Sequence, residues 1–232
     1  MALRKRAAPF PLMRASRLRG TPSPADAEEA RERQERDLLS AARRDPAQFA
    51  PLYERYVERV YAYCLRRVGG DLDSTQEAAA KAEDLTSAIF TRALSRVGGY
   101  RGGRVSAWLF SIARSVVNND YRARISRRKR AGISLDDLAD QQDEHTALAD
   151  HSLEDMLDGL VRREEHHAAR RLIAQLSEDD RDLLALRIAA GLSADEIGTA
   201  TGKSAGAVRV RLHRIITRLR MEMRREFEEE SR

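Results

Sequence analysis

Residues 193–220 read SADEIGTATGKSAGAVRVRLHRIITRLR and contain the local signals of two adjacent helices. Ser193 followed three positions later by Glu196 is a capping box, which predicts the start of a short helix. Gly202 suits the turn that follows, where the backbone needs a positive φ. Ser204 is a favourable N-cap for a second helix. The pattern therefore predicts two helices joined by a tight turn.

The second of these helices has one apolar side and one basic side. Apolar residues recur at a spacing that forms one narrow stripe at about 100° per residue; they are Val208, Leu212, Ile215 and Leu219. The opposite side carries Gly206, Arg209, Val210, His213 and Arg214. This is the plan of a helix-turn-helix, which places its second helix in the major groove of DNA. A solvated cationic face on an ordinary helical hairpin is the alternative at this point.

The composition limits the class of protein. The chain has 232 residues, of which 34% are charged and 5% aromatic, and this suits a helical, heavily solvated protein of one or two domains. Its net charge of +5 favours a polyanionic partner. The single cysteine, Cys64, excludes an intrachain disulfide and a thiolate zinc cluster, and its apolar-periodic surroundings predict a buried position. The histidines lack a ligand spacing, so no metal or cofactor is expected.

The sequence contains no membrane or export signal that we recognise. No apolar run approaches the ~18 residues of a membrane span. The basic N-terminus is not followed by the long apolar core of a secretory signal. The reducing cytoplasm is the expected location.

Periodicity and charge divide the chain into four segments. Residues 1–44 are basic, Pro-rich and then charged, which predicts a disordered N-terminal arm, with a helix from Ala25 onward left open. Residues 45–130 carry three predicted helices, and residues 131–164 are acidic with few apolar side chains, as in a flexible linker. Residues 165–232 form a smaller helical domain. We find no strand pattern, so the predicted fold is all-α, with two helical domains joined by an acidic linker.

Two segments together resemble one family. AEDLTSAIFTRAL (82–94) and YRGGRVSAWLFSIARSVVNNDYRAR (100–124) resemble the region-two domain of extracytoplasmic-function (group IV) sigma factors of bacterial RNA polymerase. LSEDDRDLLALRIAAGLSADEIGTATGKSAGAVRVRLHRIITRLR (176–220) is similar to their region-four domain. The resemblance implies a protein without catalysis of its own. It would bind core polymerase, read the minus-thirty-five and minus-ten promoter elements and help to melt the DNA.

The resemblance also implies which residues meet each partner. Binding to the clamp helices of the polymerase beta-prime subunit would involve Glu83, Asp84, Leu85 and Phe90. Amides and hydroxyls suit base edges and arginines suit phosphates, and the minus-ten set would be Trp108, Arg114, Ser115, Asn118, Asn119, Arg122, Arg124 and Arg127. Trp108 is expected to serve the core more than to stack on a base. The minus-thirty-five set would be Lys203, Ser204, Arg209, Val210, His213, Arg214 and Arg218. Region four would also meet the beta flap, and an anti-sigma factor is an implied partner.

The chain departs from the family pattern in three places. Ser87-Ala88 stands where family members often have Gln-Glu, and Ser115 stands where they usually have the Asn that receives a flipped base. The clamp contact and the minus-ten preference are therefore expected to differ in detail. The 71–81 insert and the arm before Asp45 are longer than compact members need.

Two other functions compete with this interpretation. A free-standing helix-turn-helix regulator would bind operator DNA as a dimer without polymerase. An enzyme acting on nucleic acid, such as a recombinase, would need a placed nucleophile or paired carboxylates. The adjacent pairs Glu83-Asp84 and Asp136-Asp137 diverge on a helix, so we identify no such constellation.

Overall fold

The computed structural model describes residues 23–69, 75–130, 168–169 and 171–230. The helices are α1 (Pro24–Ala42), α2 (Ala50–Val68), α3 (Thr75–Arg96), α4 (Val105–Arg130), α5 (Glu178–Ile188), α6 (Ala194–Thr201) and α7 (Ala205–Glu230). Short 3₁₀ turns occupy Pro46–Phe49 and Val97–Gly99, and residues 168–169 and 171–174 are also helical. No strand occurs among these residues, which confirms the all-α prediction for them. The predicted linker at 131–164, with Asp136-Asp137, lies outside the described residues.

Helix α1 occupies part of the segment predicted as a disordered N-terminal arm. The sequence left a helix from Ala25 onward open, and Pro24–Ala42 is helical and begins with a capping box between Ser23 and Asp26. Leu39 and Ala42 are buried in the core, and Leu38 packs against it. The Glu35 carboxylate accepts a 2.8 Å hydrogen bond from the hydroxyl of Tyr56. These apolar and polar contacts hold the helix, but they do not produce a strong periodic signal. Residues 1–22 lie outside the described part.

Helices α2, α3 and α4 pack around one apolar core. The core side chains include Leu52, Val60, Cys64, Ile89 and Phe110. Burial raises the pKa of the Cys64 thiol to about 12, and the predicted buried position of this cysteine is confirmed. Helix α3 starts at Thr75, so part of the predicted insert forms its first turns. Lys81 of this extension lies 2.7 Å from Asp120 of α4.

The helix-turn-helix prediction is confirmed in detail. Ser193 and Glu196 form the capping box that starts α6, and Gly202 ends it with a φ of 71°. Ser204 caps α7, because its hydroxyl accepts a 3.2 Å hydrogen bond from the Ala207 amide. Val208, Leu212 and Ile215 are buried, and Leu219 packs against the same core. None of the described helices combines the length and apolarity that a membrane crossing requires.

The two groups of helices also pack against each other. Helix α5 contacts α2, and α6 contacts α4. Tyr63 of α2 donates a 2.7 Å hydrogen bond to Asp182 of α5. Arg59 of α2 donates a 2.8 Å hydrogen bond to the carbonyl of Ala190, just after α5. The two groups of helices, which the sequence predicted as two tethered domains, thus pack against each other in the described part of the chain.

The turn between α6 and α7 depends on close backbone approach at Gly198. A Cβ at this position would lie 2.7 Å from the carbonyl oxygen of Lys203, which is too close. We predict that Gly198→Ala lowers the free energy of unfolding by ~1–3 kcal/mol, the usual cost of overpacking. Gly206→Ala is the control, because a Cβ there meets nothing within 4 Å. Urea denaturation should show no loss for this control, and equal stability of both variants would contradict the steric argument.

Candidate nucleic-acid interface

The exposed side of α7 gathers most of the residues predicted to contact the minus-thirty-five element. The exposed members of the set are Ser204, Arg209, Val210, His213, Arg214 and Arg218, and Lys203 is half-buried beside them. Val210 keeps 52% of its surface exposed although it is apolar. An apolar side chain among arginines can contact a thymine methyl group while its neighbours reach base edges or phosphates. The helix places these groups on one surface.

Several of these cations pair with carboxylates of the same domain. Arg209 lies 3.1 Å from Asp195, and Lys203 lies 3.6 Å from Asp179. Such exposed ion pairs stabilise a protein by only ~0–1 kcal/mol. DNA phosphates can therefore replace these carboxylates at small cost.

Arg211 is a cation of this surface that the sequence analysis missed. Its Nε donates a 2.6 Å hydrogen bond to Asp180, and this interaction raises the pKa of the Arg211 guanidinium. Arg211 lines a groove of about 540 Å³ together with Val210 and Arg214. The apolar floor of the groove includes Leu176. Arg209 and Arg211 are two positions apart in the sequence, and this spacing would have indicated a basic surface wider than the single face considered there.

The predicted minus-ten residues on α4 fall into two groups. Asn119, Arg122 and Arg127 are exposed, whereas Ser115 and Arg124 are half-buried. Arg124 lies 3.0 Å from Asp120 one turn earlier. Trp108 is half-buried, and its ring meets that of Tyr100 edge-on with centroids 5.7 Å apart. This position agrees with the predicted core role of the tryptophan.

Arg114 and Asn118 form the second group, in which Arg114 contacts α5 and Asn118 contacts Arg67 of α2. The Nε of Arg114 donates a hydrogen bond to Asp182. The Oδ1 of Asn118 accepts a 3.2 Å hydrogen bond from Arg67, which also bonds to Glu178 of α5. These contacts join residues far apart in the chain, so no local pattern in the sequence predicts them.

Asp182 is the centre of this contact, and we call Tyr63, Arg67, Arg114, Glu178 and Asp182 the Asp182 cluster. The residue is only 2% exposed, and its partners all come from the N-terminal helices. Burial, followed by repulsion from the Asp182 carboxylate, raises the pKa of the Tyr63 hydroxyl well above its usual value, so this group remains a donor. Burial lowers the pKa of Arg67, but Glu178, Tyr63 and Asp182 outweigh it and the pKa is raised overall.

Glu196 makes a second polar contact between the two groups of helices. Its carboxylate accepts hydrogen bonds from the hydroxyl of Ser106 on α4 and, at 2.8 Å, from the amide of Ser193. Arg104 lies 3.8 Å away. Burial raises the pKa of Glu196, but the hydrogen bonds from Ser106 and Ser193 and the charge of Arg104 outweigh it, so the pKa lies below its usual value.

The residues predicted to bind core polymerase on α3 differ in accessibility. Glu83 and Asp84 are exposed, whereas Leu85 and Phe90 are buried in the core of the N-terminal helices. The Phe90 ring is covered by Tyr53, with centroids 4.7 Å apart. In this structure Leu85 and Phe90 hold the helix in place and do not form its surface. Tyr53, which is 45% exposed, is the aromatic side chain available there.

The lowered pKa of Glu196 makes the stability of the chain depend on pH. A depressed carboxyl pKa stabilises the fold above the usual glutamate value and loses this effect as pH falls through the folded value. We predict that Glu196→Gln lowers the free energy of unfolding by about 1–2 kcal/mol at pH 7. The gap to the unmodified chain should close in acid, as pH falls through the lowered pKa of Glu196 in the folded chain.

Urea denaturation at pH 7 and in acid measures this difference in the free energy of unfolding. Asp37→Asn is the control, because it removes a carboxylate from the exposed side of α1. A gap for Glu196→Gln that persists unchanged in acid would contradict the predicted linkage.

Two protein-family models match this chain, one in each group of helices. The family model described as Sigma-70 region 2 matches residues 52–130, and that described as Sigma-70, region 4 matches residues 166–219. The chain is 34% identical over 173 residues to the ECF RNA polymerase sigma factor BldN of Streptomyces coelicolor, covering 74% of this chain and 58% of BldN. It is 33% identical over 180 residues to the RNA polymerase sigma factor CarQ of Myxococcus xanthus, covering 76% of this chain and 91% of CarQ.

One more relative and one solved structure are also similar to this chain. The ECF RNA polymerase sigma factor SigD of Mycobacterium tuberculosis is 30% identical over 168 residues, covering 71% of each chain. The structure of CnrH in complex with the cytosolic domain of CnrY covers 83% of this chain and 96% of the matched chain, with a TM-score of 0.51 and 17% identity. At this identity the structural likeness shows a shared fold alone.

Proposed function

The chain belongs to the extracytoplasmic-function sigma factors, which direct RNA polymerase to promoters and have no catalytic activity of their own, and we propose how its surfaces divide that work. Residues 45–130 bind core polymerase and the minus-ten element, and residues 165–232 bind the minus-thirty-five element. The proposal rests on the basic side of α7, because this side is exposed and belongs to the second helix of a helix-turn-helix. Family membership disfavours the free-standing regulator and the enzyme.

Helix α7 reads the minus-thirty-five element from the major groove. Arg209 and Arg214 are exposed and can each bond a guanine through two hydrogen bonds. Val210 contacts thymine methyl groups, while Lys203 and Arg218 hold phosphates. Arg211 joins this surface because it lines the same groove. This division follows the general rule that phosphate contacts position a protein and base contacts give specificity.

Helix α4 captures the minus-ten element as the DNA melts. Asn119 and Ser115 offer groups for base edges, and Arg122 and Arg127 neutralise the backbone. Arg124 stays paired with Asp120 and positions this surface. Arg114 and Asn118 become available for DNA once their contacts with α5 and α2 are exchanged.

The exposed acidic residues of α3 bind the clamp helices of the beta-prime subunit. Glu83 and Asp84 supply charge, and Tyr53, which contacts Phe90 of the same helix, supplies accessible apolar surface. Leu85 and Phe90 contribute by fixing the helix from below. Region four contacts the beta flap, and the linker at 131–164 joins the two DNA-bound domains along the polymerase.

A second protein controls access to these surfaces. The structures named for CnrH with CnrY and for an RsbN–BldN complex show that such complexes exist for those two proteins. We extend this to the present chain as an anti-sigma factor that acts in the cytoplasm.

Binding of core polymerase through α3 is testable with one charge reversal. We predict that Asp84→Lys weakens binding to purified bacterial core RNA polymerase by about tenfold, since a like charge placed in a charge-complementary contact costs at least ~1.4 kcal/mol. Asp37→Lys makes the same charge change on α1 and should bind like the unmodified chain. Fluorescence titration with core enzyme measures both. Equal affinities for the two variants would contradict the proposed surface.

Promoter reading by α7 is testable through Arg214. We predict that Arg214→Ala reduces run-off transcription with core enzyme by roughly 5- to 150-fold, the equivalent of ~1–3 kcal/mol for a bidentate base contact. The templates are genomic fragments on which the unmodified chain gives discrete start sites. Arg33→Ala, an equal charge loss on the exposed side of α1, should transcribe normally. An equal loss of duplex affinity on fragments with a scrambled upstream element would assign Arg214 to phosphates.

A further inference from the structure

We infer that the acidic first turns of α5 act as an internal mimic of DNA, which occupies both promoter-binding surfaces and holds the two domains closed until polymerase or DNA separates them. This inference rests on the function proposed above. The segment is Glu178-Asp179-Asp180-Arg181-Asp182, and four of its five side chains are acidic.

Three carboxylates of this segment form ion pairs with arginines of other helices. Asp182 binds Arg114 of α4, and Glu178 binds Arg67 of α2. Asp180 binds Arg211 of α7 at 2.6 Å. Each of the three carboxylates thus takes a cation from a different helix.

Asp179 connects the two surfaces most directly. One of its oxygens lies 3.9 Å from Arg114 of α4, and the other lies 3.6 Å from Lys203 in the helix-turn-helix. Both cations were assigned to DNA, one to each promoter element. A single carboxylate therefore stands between the two surfaces, as a phosphate would if either element were bound.

Burial separates the strong contacts from the weak ones. The Arg67 and Asp182 side chains are 2% and 3% exposed, whereas those of Arg211 and Lys203 are 44% and 32% exposed. Exposed pairs exchange readily for phosphate. The buried cluster is different, because removing one partner of a buried ion pair leaves an uncompensated charge. The Asp182 cluster is thus the strongest polar contact between the domains, beside the apolar core that they share.

Closure is incompatible with minus-ten binding by all of α4. Arg114 cannot bond to Asp182 and to a DNA phosphate with the same Nε, and its side chain is only 25% exposed. The partners of Asp182 all lie in the N-terminal helices, so loss of its charge weakens the contact between the two domains. After separation, Arg67 and Arg114 are in water and need no carboxylate.

The test compares the full-length Asp182→Asn variant with the unmodified chain. Small-angle X-ray scattering should show a larger radius of gyration for the variant. A fluorescently labelled single-stranded oligonucleotide of mixed sequence, without polymerase, should bind the variant about tenfold more tightly, because apparent affinity scales with the fraction of competent molecules. Asp37→Asn makes the same charge change on α1 and should leave both measurements unchanged.

Tyr63→Phe is the second variant, since it removes only the hydroxyl donor to Asp182 and keeps the ring packed on Phe110. It should shift both measurements in the same direction by a smaller factor, even if Asp182→Asn fails to fold. An unchanged radius of gyration in the folded variants would show that the Asp182 cluster does not hold the domains together. A larger radius of gyration without tighter oligonucleotide binding would show that the acidic segment does not mimic DNA. Failure of the unmodified chain to bind core polymerase would contradict the proposed function instead.

Discussion

The arrangement of the two domains depends on one buried carboxylate. Asp182 is enclosed by a tyrosine hydroxyl and two guanidinium groups, all from the N-terminal helices. A buried charge is tolerated only when it is paired and hydrogen-bonded, so Asp182 and its partners are satisfied together or not at all. Helix α5 packs on α2 and bonds to Arg114 of α4 through this carboxylate. The apolar core is continuous across both groups of helices, and the polar cluster adds a buried charged contact between them.

The sequence predicted what local chemistry specifies. The capping box at Ser193, the left-handed Gly202 and the apolar stripe of α7 are short-range signals, and each was found where it was expected. Helix α1 was left open because its attachment depends on Leu39 and on the Glu35 carboxylate, whose partner lies 21 residues away. The domain contact was not predicted for the same reason: Arg114 and Asp182 are 68 residues apart, and the acidic run around Asp182 does not indicate which cations it meets. Long-range polar pairs leave no period to detect.

The same reasoning explains why the residues predicted to contact the polymerase differ in accessibility. Leu85 and Phe90 were assigned to a partner because they lie in the matching motif, but apolar side chains on a helix of a small domain are first needed by its own core. Tyr53 supplies the accessible ring because it lies one helix away and covers Phe90. A motif identifies the surface as a whole, and packing then decides which of its members reach solvent.

The buried position of Cys64 has a consequence for chemical signalling. The thiolate, and not the thiol, is the nucleophile that attacks peroxides and disulfides. With a pKa of about 12, the Cys64 thiol is ionised at pH 7 in only about one molecule in 10⁵. Cys64 is the single cysteine of the chain. Thiol oxidants therefore find no reactive thiol in the folded protein, and a thiol-based response to oxidants would have to come from a different molecule.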